Sequence, residues 1–287
     1  MNSGMREEIR FVKASGAGND FVLIDNTSGS LAADQPFLAS VLCRRHTGIG
    51  ADGLIVLENS RKADFAMKYY NADGSYGGMC GNGGRCAALF ASENGLARSR
   101  LSFEALDFVY RAEVTGGSVK LAMKNPGPIT TRKLHIRSDD FDLTCVDTGS
   151  PHAVVFEENL ERADVAGIGK EIREHESFRP HGTNVNFVQK GVSAEIPYRT
   201  YERGVEAETL ACGTGAVAIA IASHFCHATS SPVMLRTRSN ENLTVSFQTD
   251  GASYTDVILE GPAIILFEGR FLYESISGRI SLLNSGR

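Results

Sequence analysis

The sequence predicts an α/β (α+β) protein of two pseudo-symmetric domains derived from an internal duplication. Each domain is expected to be a mixed or antiparallel sheet, or a barrel, around one central apolar helix. Three observations predict this fold: segments of the two halves resemble each other at a nearly constant spacing, short β-branched runs alternate with glycine-containing turns, and an apolar helical stretch follows each of two Cys-Gly-x-Gly elements.

The internal repeat consists of four pairs of segments that occur in the same order in both halves. Their offsets are 132 or 133 residues for the first three pairs and 134 for the fourth, measured between Gly127-Pro128 and Gly261-Pro262, which indicates two halves built on one plan. The pairs are SGAGNDFVLIDN (15–26) with TGSPHAVVFEEN (148–159), GADGLIVLE (50–58) with GTNVNFVQK (182–190), CGNGGRCAALFAS (80–92) with CGTGAVAIAIAS (212–223), and the hairpin RAEVTGGSVKLAMKNPGP (111–128) with SFQTDGASYTDVILEGPA (246–263).

The elements of each half follow from local patterns. Asp/Gly and Gly/Gly pairs between β-branched runs are typical of hairpins. The stretch 214–225 is almost uniformly small and apolar, which predicts a helix buried on all sides. Residues 124–128 are rich in helix and strand breakers and are expected to form the linker. We therefore predict an N-terminal domain at 1–124, completed by about 270–287, and a C-terminal domain at 125–269.

Composition and charge favour a small-molecule substrate. The 287 residues are 42% hydrophobic and 22% charged, and the net charge of -5 offers no basic surface for nucleic acid or an anionic membrane. The N-terminus has no apolar signal-peptide core, and no apolar stretch approaches the roughly 18–20 residues that span a bilayer. We expect a soluble, cytoplasmic protein that binds neither nucleic acid nor membrane.

Six cysteines without a secretory signal indicate reduced thiols rather than a disulfide framework. No pair has the spacing of a zinc site. The tightest Cys/His cluster, His224-Phe225-Cys226-His227, lies at the end of the apolar helical stretch, and we expect it to bind no metal.

The two Cys-Gly-x-Gly elements are the strongest chemical signal in the chain. Cys80 and Cys212 each precede a glycine-rich helix start, where unpaired backbone N–H groups and the positive end of the helix dipole meet. That environment is expected to lower the pKa of a thiol and can also hold a carboxylate. A single such cysteine could equally be buried and inert. Two at equivalent places in a repeat favour a shared function.

One thiolate and one thiol of matched pKa are what stereoinversion at an acidic carbon requires. One group removes the proton and the other returns a proton to the opposite face. Backbone donors at the helix starts would stabilise the charge that develops as the proton leaves. We therefore expect the two cysteines to face one substrate, in a cleft between the domains that closes to exclude water.

These segments resemble the diaminopimelate epimerase family over nearly the whole chain. The matching segments are SGAGNDF, GADGLIVLE, YNADGS, CGNGGRC, GSPHAVVF, GTNVNFV, YERG and ETLACGTGA. The resemblance implies that the protein interconverts LL- and meso-2,6-diaminopimelate, a step of lysine and peptidoglycan-precursor synthesis, without cofactor or metal. It also makes a homodimer possible.

The resemblance also implies a set of functional residues. Cys80 and Cys212 would be the acid–base pair, and His152 and Glu202 would assist their protonation. The substrate would be bound by Asn19, Asn71, Asn184, Glu202 and Arg203, and by the backbone around Gly81, Asn82, Gly213 and Thr214.

Several of these residues also have simpler interpretations. Asn19 and Asn71 lie in sequences that form ordinary turns, and Glu202 with Arg203 could be a solvated pair. Without the resemblance, His152 after Pro151 would be predicted to be a surface histidine in a turn.

The chain departs from the family pattern at three places. Ser150 replaces a frequent asparagine, and Gly53 replaces a glutamine found in some members, so we predict neither side chain as a ligand. The segment from Glu202 to Cys212 is one residue longer than usual, which puts strict substrate selectivity in doubt.

Three alternatives remain open. Proline and hydroxyproline racemases also use two cysteines, but their first motif usually reads Cys-Gly-His-Gly, and a relaxed amino-acid racemase is a related possibility. Gly48-Ile-Gly-Ala-Asp-Gly53 formally matches a dinucleotide-binding fingerprint, although it precedes a strand instead of following one. A non-enzymatic binding module could use the cysteines as a redox-sensitive pair.

Overall fold

The structure is a computed structural model that describes residues 6–31, 33–191, 194–274 and 279–283. Its strands are β1 (Arg6–Gly16), β2 (Asn19–Asn26), β3 (Gly53–Glu58), β4 (Phe65–Asn71), β5 (Arg100–Ala105), β6 (Phe108–Thr115), β7 (Ser118–Ala122), β8 (Thr130–Ile136), β9 (Asp139–Asp147), β10 (Pro151–Glu157), β11 (Asn184–Gln189), β12 (Ile196–Glu202), β13 (Ala207–Thr209), β14 (Val233–Arg236), β15 (Asn242–Thr249), β16 (Tyr254–Pro262), β17 (Ile264–Glu274) and β18 (Arg279–Leu283). Its α-helices are α1 (Gln35–Leu42), α2 (Gly81–Glu93), α3 (Val165–Glu174) and α4 (Gly213–His227), and short 3-10 turns lie at Leu160–Arg162 and Glu176–Phe178.

The chain divides into two compact units, Met1–Val119 with Ala263–Arg287, and Lys120–Pro262. The unit bounds lie a few residues from the predicted division into 1–124 and 125–269. Backbone hydrogen bonds explain the difference, because Met123 N donates to Val257 O within the second unit and Ala263 N donates to Gly117 O within the first. Of the predicted tail at 270–287, residues 275–278 and 284–287 lie outside the described residues.

The two units have the same strand order and directions. In the first, β1 pairs antiparallel with β17 and β2, β2 is parallel to β3, β3 is antiparallel to β4, β4 is parallel to β5, and β5 is antiparallel to β6. In the second, β8, β9, β10, β11, β12, β14 and β15 follow in the same alternation. The predicted duplicated α+β fold with mixed sheets is confirmed.

Each unit has an apolar helix packed on its sheet, as predicted. In α2, every residue from 81 to 91 is buried. In α4, Gly213 and the residues from 215 to 223 are buried, because alanine, valine and isoleucine occupy all faces of the helix. Burial ends after Ser223, and Phe225 is 54% exposed. The last turn of the predicted 214–225 helix is therefore at the surface.

A second helix in each unit was not predicted. Parallel strands cannot be joined by a tight turn, so β2 and β3 are connected through α1, and β10 and β11 through α3. Asp34 and Asp164 precede these helices, and the Asp164 carboxylate accepts a hydrogen bond from Gly167 N. Their apolar faces cover separate cores, which include Leu38 beside Val22 in the first unit and Ile172 beside Phe187 in the second.

Among the described residues, no helix is both long and apolar enough to cross a membrane.

Candidate active site

The two cysteines occupy equivalent backbone positions. Cys80 immediately precedes α2 with φ -124° and ψ 125°, and Cys212 immediately precedes α4 with φ -127° and ψ 112°. In this extended conformation the residue caps a helix whose first N–H groups have no partner within the helix. Each thiol thus belongs to the end of a helix where partial positive charge accumulates. Cys80 is half-buried and Cys212 is buried.

The Cys212 sulfur contacts two groups at the start of its own helix. Gly215 N donates to Sγ at 3.4 Å, and Thr214 Oγ1 lies 3.5 Å from Sγ. The Gly215 N–H favours the thiolate over the thiol, because a negatively charged sulfur is the better acceptor. In the contact with Thr214, either the hydroxyl or the thiol can be the donor.

His152 lies beside this helix start and not at the surface. It is on β10, is 1% exposed, and its Nε2 is 3.0 Å from Thr214 Oγ1 and 3.1 Å from Ser150 Oγ. Burial, followed by the positive charge of Arg203, lowers the pKa of His152 to about 3, so the imidazole is neutral near pH 7. The interpretation of His152 as a surface histidine in a turn is wrong, because parallel pairing of β10 with β11 carries it into the interior.

Asn184 organises the neighbouring loops. Its Nδ2 donates to Ser150 Oγ at 3.0 Å and to Pro151 O at 3.1 Å, and its Oδ1 accepts from Arg203 N at 2.9 Å. Both amide N–H groups therefore have protein acceptors, and Oδ1 accepts a backbone N–H. Ser150, which the sequence did not mark as a ligand, is part of this hydrogen-bonded group.

Glu202 is the last residue of β12, and Arg203 follows it. Glu202 Oε2 accepts a hydrogen bond from Thr209 Oγ1 at 2.9 Å, and Arg203 Nη1 donates to His181 O at 3.2 Å. The segment that is one residue longer than usual turns into β13, with Glu206 held by Arg173 at 2.8 Å.

The first unit contains a corresponding polar group at the start of α2. Asn82 Nδ2 donates to Asn19 Oδ1, and Asn19 Nδ2 donates to Asp52 Oδ2 at 3.0 Å. Asn82 Oδ1 accepts from the fully buried Arg85 at 2.9 Å. The repeat aligns Asn19 with His152 and Asn82 with Thr214, so each helix start is bonded to the equivalent strand of its own unit.

A charged cluster fixes the loop that carries Asn19. The buried Lys13 lies 2.7 Å from Asp20, and Arg45 contacts both Asp20 and Asp52 at 2.9 Å. Burial opposes ionisation of Asp20, but hydrogen bonds from Lys13 and Arg45 outweigh it and lower the pKa of this carboxyl. Apart from the charges themselves, no pattern in the sequence indicated this cluster.

Asn71 lies at the end of β4, where it takes part in a turn and pairs with Gly53 of β3. Its Nδ2 donates to Ser75 Oγ at 3.0 Å, so the predicted turn chemistry is present. Across the sheet, Asn71 pairs with Gly53, where a Cβ would lie 2.5 Å from Tyr69 Cε2 and from Tyr70 O. A glutamine at this position would collide with the Tyr69 ring, which explains the departure from the family pattern.

The dinucleotide and metal alternatives find no support in the arrangement. Gly48 and Gly50 precede β3 and open no helix. At the end of α4, His224 Nδ1 lies 2.8 Å from Tyr254 Oη, and the His227 ring packs against Phe156. No group of three or more His, Cys, Asp or Glu among the described residues could hold a metal ion.

The sequence analysis assigned no role to three polar residues near Cys212: Ser150, which is half-buried, and Asn186 and Thr200, which are buried. Asn186 follows Asn184 by two residues on β11, and both side chains of such a pair point to the same side of a strand. That alternation in Asn-Val-Asn was the one available signal.

Comparison with known proteins gives a consistent family. A family model described as diaminopimelate epimerase matches residues 11–133 and 144–265. The diaminopimelate epimerase of Aquifex aeolicus is 42% identical over 93% of this chain and 99% of its own length. That of Chlorobaculum tepidum is 46% identical over 89% of this chain and 98% of its own length.

Solved structures of lower identity share the fold. A hydroxyproline epimerase from Agrobacterium vitis, with bound trans-4-hydroxy-L-proline, superposes with a TM-score of 0.73 at 15% identity over 96% of both chains. A phenazine biosynthesis protein of Bacillus anthracis superposes with a TM-score of 0.71 at 14% identity, over 92% of this chain and 99% of its own.

Proposed function

Because the chain belongs to the diaminopimelate epimerase family, we propose that it interconverts LL- and meso-2,6-diaminopimelate, with Cys80 and Cys212 as its two acid–base groups. The observation that carries this proposal is the equivalent placement of the two thiols at the starts of the repeated helices α2 and α4. A two-base reaction needs two such groups, and the duplication supplies one in each unit.

In the proposed reaction, the thiolate of one cysteine takes the Cα proton of the substrate. The electron pair left on Cα is delocalised into the adjacent carboxylate, and the thiol of the other cysteine gives its proton to the opposite face. The stereocentre is inverted and the two cysteines have exchanged protonation states. No external oxidant, reductant or cofactor enters this balance.

The polar residues have distinct parts in the proposal. Backbone N–H groups of Gly81, Asn82, Gly213 and Thr214 bind the carboxylate at the reacting centre, as helix starts do for anions. Asn19, Asn71, Asn184, Glu202 and Arg203 bind the rest of the substrate, whose second amino-carboxylate end matches an anion, a guanidinium and amides. His152 assists Cys212 as a neutral hydrogen-bond donor, which its burial supports.

We also propose that the protein acts in the cytoplasm without metal or cofactor, and that it forms a homodimer. Dialysis against a chelator should leave activity unchanged, and light scattering should give twice the mass of the 30.9 kDa chain.

Proton NMR of LL-diaminopimelate tests the proposed substrate and residues together. The wild-type protein should form the meso isomer without added cofactor, whereas Cys80→Ala and Cys212→Ala should lose at least about 10²-fold in rate, the lower end of what a positioned acid or base contributes. Cys226→Ala removes an exposed thiol and is the matched control that should keep full activity. Conversion of proline or hydroxyproline but not of LL-diaminopimelate would reject the proposed substrate in favour of the racemase alternative.

A further inference from the structure

Two buried polar side chains, Asn186 and Thr200, form a series of hydrogen bonds that starts at His152 Nδ1. Thr200 Oγ1 donates to Asn186 Oδ1 at 3.0 Å, and Asn186 Nδ2 is 3.1 Å from His152 Nδ1. Thr200, Asn186 and His152 are each at most 1% exposed. A polar group buried in a core needs a hydrogen-bond partner among its neighbours. The donor and acceptor roles in this series of hydrogen bonds are therefore constrained.

The orientation of the Asn186 amide follows from its surroundings. Its Nδ2 also lies 3.4 Å from Ala153 O, and a carbonyl oxygen can only accept a hydrogen bond. Its Oδ1 faces the Thr200 hydroxyl, which can donate. The amide therefore presents N–H, and not oxygen, to His152.

This amide orientation determines the His152 tautomer. An N–H donor at Asn186 requires an unprotonated Nδ1 on His152, and in a neutral imidazole the proton then resides on Nε2. From Nε2, the N–H points to Thr214 Oγ1 at 3.0 Å, with Ser150 Oγ at 3.1 Å as a second acceptor. Once Thr214 Oγ1 has accepted from His152, its own proton is available to Cys212 Sγ at 3.5 Å.

We propose that Asn186 is a positioning residue that fixes His152 as the Nε2–H tautomer and, through Thr214, directs a hydroxyl proton toward the Cys212 sulfur. This inference deepens the proposed function and rests on the proposed role of Cys212 in it. Asn186 touches neither the sulfur nor a reacting atom in this scheme. It acts only by deciding which imidazole nitrogen carries the proton.

The experiment measures the tautomer of His152 and the alkylation of the Cys212 thiol, and neither measurement depends on turnover. ¹⁵N-histidine NMR of the full-length protein distinguishes protonated from unprotonated ring nitrogens, and the His152 signals are assigned by their loss in His152→Asn. Peptide mass spectrometry after iodoacetamide treatment gives the pH midpoint of alkylation of Cys212. The variants are Asn186→Leu, Asn186→Asp and the milder Thr200→Val. The matched control is Gln189→Met, which removes an amide from the same strand.

In wild type and Gln189→Met, His152 should show an unprotonated Nδ1 and a protonated Nε2 from about pH 5 to pH 9, as its lowered pKa requires. In Asn186→Asp, the carboxylate should draw a proton to Nδ1. In Asn186→Leu and Thr200→Val, the fixed tautomer should be lost, the Cys212 alkylation midpoint should rise, and kcat should fall by roughly 10-fold or more with little change in KM. Thr200→Val keeps the test informative if Asn186→Leu fails to fold.

An unchanged tautomer and an unchanged Cys212 midpoint in folded Asn186→Leu and Asn186→Asp would overturn the proposal. The tautomer and alkylation measurements need no substrate. A failure of the epimerase assignment would therefore appear as absent turnover in wild type, whereas a failure of this inference would appear as an unperturbed His152 in the variants.

Discussion

A Cβ atom at Gly215 would lie 2.5 Å from the side-chain oxygen of Asn186 and 3.3 Å from Cys212 Sγ. The third residue of α4 is thus glycine because β11 places an amide against the helix start. Replacement of a helical glycine by alanine ordinarily stabilises a protein by about 0.5–1 kcal/mol, since alanine restricts the unfolded chain. At Gly215 the close approach reverses that sign.

Gly215→Ala should therefore lower the free energy of unfolding by about 1–3 kcal/mol, the usual range for overpacking. Gly83 is the matched control, because the repeat aligns it with Gly215 and its Cβ would meet the flexible end of Ile55 at 3.0 Å. Urea denaturation of both variants gives the comparison. Equal or greater destabilisation by Gly83→Ala would contradict the packing argument.

The neutral His152 should make stability depend on pH. Its pKa in the folded protein, about 3, is below the ordinary value of 6.5, so the unfolded chain binds more protons between these values. The stabilising contribution is complete above pH 6.5 and is lost as the pH falls toward 3, with a slope of at most about 1.4 kcal/mol per pH unit.

The measurement is the difference in unfolding free energy between wild type and His152→Asn at pH 7.5 and pH 5. The wild-type protein should lose more stability on acidification than the variant does, since other titrating groups are common to both. Parallel pH profiles would contradict the lowered pKa of His152 in the folded protein.

The buried pair of Lys13 with Asp20 should contribute far more than a surface pair. Lys13→Met leaves the partly buried Asp20 carboxylate without its buried cation and should cost about 3–5 kcal/mol. Arg10→Met on the same strand removes an exposed pair with Glu268 and should cost about 0–1 kcal/mol. Thermal or urea unfolding of both variants tests this ranking, and similar losses would refute it.

Lowering the pH should remove the stabilising contribution of the pair of Lys13 with Asp20. Because the folded-state pKa of Asp20 is lowered below 3.8, its contribution is present above pH 3.8 and disappears as the pH falls through the lowered value.

Thiol reactivity should follow burial among the cysteines outside the proposed mechanism. Burial raises the pKa of Cys43 to about 12 and its side chain is 1% exposed, whereas Cys226 is exposed. In the native protein at pH 8, iodoacetamide should modify Cys226 rapidly and leave Cys43 unmodified until urea is added. Peptide mass spectrometry follows both sites, and labelling of the two at one rate would contradict the buried position of Cys43.

The sequence was sufficient for the features that repeat along the chain. Similar segments predicted the duplicated fold, the two apolar helices and the positions of Cys80 and Cys212 before them. The sequence did not reveal α1 and α3, because no repeat pair covers these crossovers. The pair 15–26 and 148–159 ends before them, and the pair 50–58 and 182–190 begins after them.

The surroundings of His152 depend on strand register, which no local pattern encodes. The parallel alignment of β10 with β11 pairs His152 with Asn184 and brings Asn186 to the buried side of the imidazole. These residues are more than 30 positions apart, so their contact could be found only in three dimensions. The same holds for the Lys13 cluster, whose members come from separate strands and loops.

The most direct test of the two-base account is the early time course of the reaction in D₂O with LL-diaminopimelate, followed by NMR of both isomers. If one cysteine removes the proton and the other supplies its own, the meso product should carry deuterium at the inverted Cα from the first turnovers. The remaining LL substrate should then still carry hydrogen. Equal early deuteration of substrate and product would mean that a single group serves both faces, and it would contradict the central claim.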